Sequence, residues 1–441
     1  RDLHSFPTRR SSDLVGGIRG GKPLFGRVAA QGAKNAALPV IASSLLLKGK
    51  RLTLERVPDL QDIHTMANLL RHLGATISFE GGRMTIDVPE ELKWETPVEL
   101  VRRMRASSLV LGPLVARCGR AVLPLPGGCA IGSRPIDFHL KGLARMGAEI
   151  DLEHGSVHAR TNGLKPSRIY LDFPSVGATE NMMMTAATIP GESTIENAAR
   201  EPEIVNLAHT LRAMGARIEG EGTGTIKIEG RTDLEEATIT IIPDRIEAST
   251  YLLAGVMTRG CVTVDDINPE YLESLTFKLE EAHIPIVISE KERSVSVDCR
   301  GRNWTGVTIK TLPYPGFPTD MQPQIMATLC MAQGTSVIHE SVFDSRYMHV
   351  GEFKRMGCKI DLQGNTVVIT GIDRLVGAEV HASDLRAGAA LILLGLAAEG
   401  ETVVCALQHV WRGYERLMEK MTSLGADIEL LPDEEAESRK S

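Results

Sequence analysis

The chain contains no apolar run of about 18 residues, which argues against a membrane-spanning helix. None of its seven cysteines forms a Cys-x-x-Cys pair, so neither a zinc motif nor a disulfide framework is suggested, and scattered thiols fit a reducing cytoplasm. Positive charge is not in surplus. The net charge of −7 argues against nonspecific nucleic-acid binding but leaves room for a small anion site built from local cations. Residues 1–14 lack an apolar h-region and are no secretory signal. They resemble translated sequencing-adapter sequence and are expected to be a non-native or disordered tail. Residues 432–441, acidic and then basic, read as a frayed end. What is present is ordinary globular material: 43% apolar and 24% charged residues over 441 positions, enough for two or three domains with ample core.

The chain repeats itself. A helical segment ending in Leu-Gly-Ala, Met-Gly-Ala or a relative, followed by a strand, recurs at Gly74, Gly147, Gly215, Gly357 and Gly425. The spacing predicts a sixth copy at Ala282-His283-Ile284, where the glycine is absent. A second marker, glycine before a β-branched strand, falls at Gly49, Gly119, Gly191, Gly260, Gly334 and Gly400. Each unit is therefore roughly 70 residues, with glycine suited to the left-handed position that ends a helix. Ile63–Leu73 has apolar residues at helical spacing, whereas Ala387–Ala398 is apolar on every side and should be buried. Thr366–Thr370 and Thr402–Cys405 read as strands. Six mixed units imply an α/β fold, and spacing alone leaves a closed barrel or a solenoid open.

The segment Pro126-Gly127-Gly128-Cys129-Ala130-Ile131-Gly132-Ser133-Arg134-Pro135-Ile136-Asp137 surrounds one cysteine with glycines and follows it with an arginine. Such a loop exposes a thiol, and nearby cations favour its reactive thiolate; an incidental surface cysteine is the bland alternative. Cys118, Cys330, Cys358 and Cys405 lie in apolar stretches and read as small core fillers, as does Met182-Met183-Met184 for packing. The loop resembles the active-site loop of the enolpyruvyl transferases that act on UDP-N-acetylglucosamine. Further segments match in order: Gly32–Pro39, Met104–Ser107, Ser175–Thr179, Glu196–Glu203, Phe317–Gln322, Asp384–Ala387 and Arg412–Arg416.

The resemblance implies a two-domain inside-out α/β barrel of six βαβαββ-type repeats, three per domain, with helices inside and sheets outside. One domain would span 34–243. The other would span 15–33 plus 244–431, with the site in a cleft that closes on ligand. It implies transfer of the enolpyruvyl group of phosphoenolpyruvate to the 3-hydroxyl of UDP-N-acetylglucosamine by addition and elimination. Phosphate leaves, and the product enters peptidoglycan synthesis. The chemistry needs a proton donor, a base and cations, but no metal and no cofactor.

Carried over residue by residue, Cys129 is the proton donor and the target of fosfomycin, and Asp320 the likely base, with Lys34 and Arg412 also catalytic. Lys34, Asn35, Arg134, Arg386 and Arg412 would bind phosphoenolpyruvate. Arg105, Arg134, Pro135, Ile136, Asp137, Phe138, Phe173, Pro174, Ser175, Val176, Asp320, Val342 and Phe343 would bind the nucleotide sugar, with Arg346 in support. Taken singly, Lys34 reads first as an exposed residue at a helix start, and an arginine more often as a solvated surface group, Arg386 least so because it precedes an apolar helix; Asp320 reads as a helix cap, a role compatible with that of a base. The chain departs from relatives that carry lysine at Phe173 and tryptophan at Leu109, which puts nucleotide contacts there in doubt. The expected protein is a cytoplasmic monomer that binds no membrane and no nucleic acid. The sister transferase that acts on shikimate 3-phosphate and a noncatalytic nucleotide-sugar-binding relative are the alternatives.

Overall fold

A computed structural model describes residues 15–125, 136–344 and 346–431. Six small sheets carry the repeat. The most complete copy runs strand Arg168–Tyr170, helix Val176–Ala186, strand Gly191–Glu196, helix Pro202–Ala213, then strands Arg217–Glu219 and Thr225–Gly230. The first two strands pair in parallel, with Ile169 opposite Ile195, across the buried helix. The last two fold back antiparallel, so the spatial order is first, second, fourth, third. The sheet of Thr308–Lys310, Thr335–His339, Lys359–Gln363 and Thr366–Thr370 repeats this order.

Distant segments complete three other sheets. Ala237–Thr240 lies parallel to Arg51–Glu55, and Phe25–Ala29 parallel to Cys261–Asp265. Val15–Arg19 inserts between Glu401–Cys405 and Asp427–Leu431. In the sheet of Arg120–Pro124, Glu149–Glu153 and Ser156–Arg160, the first strand shrinks to a single parallel bridge, Glu95 to Val122.

The chain divides into two compact units. Among the described residues, one holds Gln31–Asp244 and Pro313–Pro315; the other holds 15–30, Arg245–Leu312 and 316–431. Each has three sheets around its own hydrophobic core. In the second unit the helices Arg245–Met257, Gln322–Leu329 and Leu385–Ala397 pack on one another. Every residue of the first two is buried, and the third is buried from Arg386 to Leu396. Helices apolar all round must lie inside. In the first unit Lys34–Ser43, Leu111–Cys118 and Val176–Ala186 take the same place. Close approach there depends on Gly112: a Cβ at that position would lie 2.5 Å from Thr185 Oγ1 and 2.8 Å from the Asn181 carbonyl oxygen. The arrangement is two-domain α/β, helices within and sheets outside. The described strands form six separate sheets and not one continuous hydrogen-bonded cylinder. No helix among the described residues is long and apolar enough to cross a membrane.

The six helix ends obey one rule. The amides of Ala75, Ala148, Ala216, Ile284, Cys358 and Ala426 each donate five residues back, to Leu70, Leu143, Leu211, Leu279, Phe353 and Met421. This closure requires a left-handed residue just before the donor. Glycine fills it five times, and His283 fills the sixth at φ +63°, its Nδ1 3.1 Å from Thr305 Oγ1.

Candidate active site

In the unit built from Gln31–Asp244, Lys34 opens the helix Lys34–Ser43. It is buried rather than exposed, and its ammonium lies 3.1 Å from Asp62 Oδ2, itself buried in the first turn of Gln61–Leu73. A lysine has three N–H donors, so this pair leaves capacity for an anion. Asn35, next in the chain, is half-buried. Arg105 starts the 3₁₀ turn Arg105–Val110 and is half-buried.

Two candidate nucleotide-sugar segments meet around a residue the sequence reading passed over. His139, in the helix Asp137–Arg145, is buried; burial first, then the positive charge of Arg105, pushes its imidazole down to about 4, against a smaller opposing pull from Asp137. Asn181 Nδ2 stands 2.8 Å from His139 Nδ1 and 3.1 Å from the Ser108 carbonyl, while Asn181 Oδ1 accepts from the Gly112 amide. The amide therefore donates to Nδ1, and the neutral ring carries its proton on Nε2. A Cβ on Gly177 would lie 3.1 Å from the ring, so the helix start Ser175–Gly177 sits against it. Ser175 Oγ caps that helix, accepting from Ala178 at 3.4 Å. Ile136 is buried, and Phe138, Pro174 and Val176 are half-buried. Phe173 is exposed and presents apolar surface at this edge. Lys141 lies 3.8 Å from both Asp137 and Asp172 and 5.7 Å from the Phe138 ring, beside an open pocket of about 310 Å³. It brings a cation to this side that motif matching did not single out. Cys129, Arg134 and Pro135 lie outside the described residues.

In the other unit Asp320 sits in the turn Thr319–Met321. It makes no helix cap: its Oδ1 accepts from Arg346 Nη2 at 2.9 Å and its Oδ2 from Arg386 Nη2 at 3.0 Å. Both arginines are buried, so the solvated reading fails for them. Arg386 is fixed at the start of Leu385–Ala397, where Asp384 Oδ1 accepts from the amides of Arg386 and Ala387, and its guanidinium lies 5.7 Å from the Tyr414 ring. Arg346 also donates to Thr319 Oγ1 at 2.9 Å.

Glu340 organises this cluster, and nothing in the sequence marked it. Its carboxylate is fully buried. Oε1 accepts from Thr311 Oγ1 and from the amides of Val342 and Phe343; Oε2 accepts from Thr319 Oγ1. One carboxylate thus ties the Asp320 turn to the Val342–Phe343 segment. Arg412 is half-buried at the end of the turn Leu407–Arg412; burial first, and then the charge of Arg412, lowers the His409 imidazole. Burial lowers the His349 imidazole as well, assisted by Arg346 and opposed by Asp384.

Of the filler cysteines, Cys330 and Cys358 are buried, the Cys330 thiol raised by Cys358 and desolvation. Cys405 is half-buried and packs with Val403 against Val15 and Leu431, outside the main core, its thiol 4.0 Å from Glu379 Oε1. Strand alternation turned it away from the core that its apolar neighbours suggested. Leu109 and Met182–Met184 are core residues.

The described fold and its cation-lined carboxylate are those of an anion-handling α/β transferase. The chain belongs to the enolpyruvyl transferase family described as EPSP synthase (3-phosphoshikimate 1-carboxyvinyltransferase), whose profile matches residues 18–421. It is 50% identical over 416 residues to UDP-N-acetylglucosamine 1-carboxyvinyltransferase 2 of Carboxydothermus hydrogenoformans, covering 94% of this chain and 99% of that protein. It is 51% identical over 408 residues to UDP-N-acetylglucosamine 1-carboxyvinyltransferase 1 of Caldanaerobacter subterraneus, covering 92% and 97%. Among solved structures it is similar to the enolpyruvyl transferase NikO from Streptomyces tendae, with a TM-score of 0.86, 26% identity, and 96% and 100% of the two chains covered.

Proposed function

We propose that this protein transfers the enolpyruvyl group of phosphoenolpyruvate to the 3-hydroxyl of UDP-N-acetylglucosamine and releases phosphate, supplying peptidoglycan synthesis in the cytoplasm as a monomer. The observation that carries the reading is half-identity along nearly the whole chain to two proteins named for this reaction. The side-chain chemistry supports it.

In the addition step a proton is delivered to the methylene carbon while the sugar oxygen bonds to the adjacent carbon, giving a tetrahedral ketal. In the elimination step the phosphate leaves and the methyl group loses a proton, restoring the double bond. Cys129 delivers the first proton. Asp320 receives the proton of the sugar hydroxyl; its two oxygens accept from the guanidinium groups of Arg346 and Arg386, which fix the carboxylate's orientation. Fixed opposite Arg346 and Arg386, it offers a preset direction, which is where positioned groups gain rate. Lys34, Arg134, Arg386 and Arg412 neutralise the carboxylate and the departing phosphate, a task to which guanidinium forks are suited, and Asn35 donates a hydrogen bond to them. Arg105, Pro135–Phe138, Phe173–Val176, Val342 and Phe343 hold the nucleotide sugar. His139 keeps its uncharged ring between two of these segments.

The test is product identification by mass after incubation with both substrates. The reading requires the enolpyruvyl ether of the nucleotide sugar and its loss, by about 10²-fold or more, in Cys129→Ala. Nucleotide-sugar binding should survive that substitution. Fosfomycin should add its mass to Cys129 alone. Full turnover in Cys129→Ala would remove the thiol from the mechanism.

A further inference from the structure

We propose that Glu379, His381 and Cys405 form a binding site for a thiophilic divalent cation of the zinc class, on the outer face of a sheet in the unit that carries Asp320. The proposal stands independently of the transferase reading. Strand alternation turns Glu379 and His381 to one face, while Val380 between them is fully buried. The neighbouring strand Glu401–Cys405 runs parallel, in a register that sets His381 opposite Cys405. His381 Nε2 lies 3.6 Å from Glu379 Oε1, the Cys405 sulfur lies 4.0 Å from the same oxygen, and all three ligand atoms fall within 4.8 Å of one another. It is the one such group among the described residues.

The donor set is selective. Imidazole, carboxylate and thiolate together suit zinc, whereas magnesium and calcium prefer oxygen alone. Metal-ligand distances of about 2.0–2.3 Å in a tetrahedral site put neighbouring ligand atoms roughly 3.3–3.5 Å apart. The two separations to Glu379 exceed this by about 0.1–0.7 Å, and the His381–Cys405 separation, within 4.8 Å, closes by rotation of the exposed His381 side chain. Three protein ligands leave a fourth position for water or a small anion. The His381 backbone amide donates to Glu352 Oε2 at 2.9 Å, which holds the strand edge and sets a second carboxylate nearby. Binding would deprotonate the Cys405 thiol and release one proton to solvent.

The position has a consequence. Glu379–His381 leads within five residues to Arg386, and Glu401–Cys405 within seven to Arg412. A cation at this point would tie together the strand ends from which both arginine-bearing segments depart.

The experiment uses the full chain with cobalt(II) as an optical probe and zinc as competitor. The expected result is one equivalent of cobalt with a thiolate-to-metal charge-transfer band that zinc abolishes. The band should vanish in Cys405→Ser, weaken at least 10-fold in apparent affinity in His381→Asn, and persist in Cys129→Ser. Zinc should raise the unfolding temperature of the parent and of Cys129→Ser but not of Cys405→Ser, whose metal-free unfolding should match the parent. A band that survives Cys405→Ser, one that disappears in Cys129→Ser, or no band at millimolar cobalt would overturn the proposal.

Discussion

Thr319 Oγ1 lies 2.9 Å from Glu340 Oε2 and 2.9 Å from Arg346 Nη1. Arginine can only donate, so the hydroxyl spends its single hydrogen on Glu340 and accepts from Arg346. The buried glutamate thereby orients the arginine that holds Asp320. Glu340→Gln would place an amide donor where acceptors are required and should destabilise the fold by about 2–4 kcal/mol, read by urea unfolding. Thr319→Val keeps the shape and removes the relay. It should lower kcat about 10-fold at a stability cost near 1 kcal/mol. Unchanged kcat in Thr319→Val would show that Arg346 is held without it.

The buried pair of Lys34 and Asp62 should behave as one coupled unit. Lys34→Met takes the ammonium away from a buried carboxylate, and Asp62→Leu takes the carboxylate away from a buried ammonium; each should cost about 3–5 kcal/mol. The double variant Lys34→Met with Asp62→Leu should recover much of that loss while remaining inactive. Chemical denaturation of the four proteins gives the coupling directly. Additive losses would mean that the two charges do not depend on each other.

His139 is pushed down to about 4 from an ordinary value of 6.5. As pH falls below 6.5 the unfolded chain takes the proton first, so stability is present at neutral pH and drains away between about 6.5 and 4. The share from this ring is about 3 kcal/mol when fully lost. His349, also lowered by burial, adds in the same direction. Replacing His139 by Gln should flatten the stability profile between pH 6.5 and 4.5. A parallel profile would contradict the burial argument.

Glu180 titrates in the opposite sense. Burial, then Glu203 and Glu201, raise its carboxyl well above 4.5. The folded chain keeps this proton after the unfolded chain has lost it, so stability falls as pH rises above about 4.5. Glu180→Gln should unfold at a higher temperature than the parent at pH 8, with the gap closing toward pH 4.5. Equal unfolding temperatures at pH 8 would mean that the carboxyl is already paired when ionised.

Much of this architecture was legible because its periodicity has a local cause. A helix that closes through a left-handed residue selects glycine, so five glycines marked five repeats, and spacing alone found the sixth at His283. The burial of Ala387–Leu396 followed from its composition. What escaped depends on contacts that no local pattern encodes. Lys34 and Asp62 are 28 positions apart. Glu340 sits at a strand end without a spacing signature, and its role exists only once Thr311, Thr319 and Val342 converge on it. His139 follows directly after the matched Asp137-Phe138, but its neutral state comes from desolvation first and then from Arg105. Cys405 gains its partners through the parallel register of two strands separated by a helix.

The most direct measurement is phosphate release from phosphoenolpyruvate with either UDP-N-acetylglucosamine or shikimate 3-phosphate as acceptor. The account predicts release with the nucleotide sugar alone, abolished by fosfomycin. Release with shikimate 3-phosphate alone, or binding of the nucleotide sugar with no release, would contradict it.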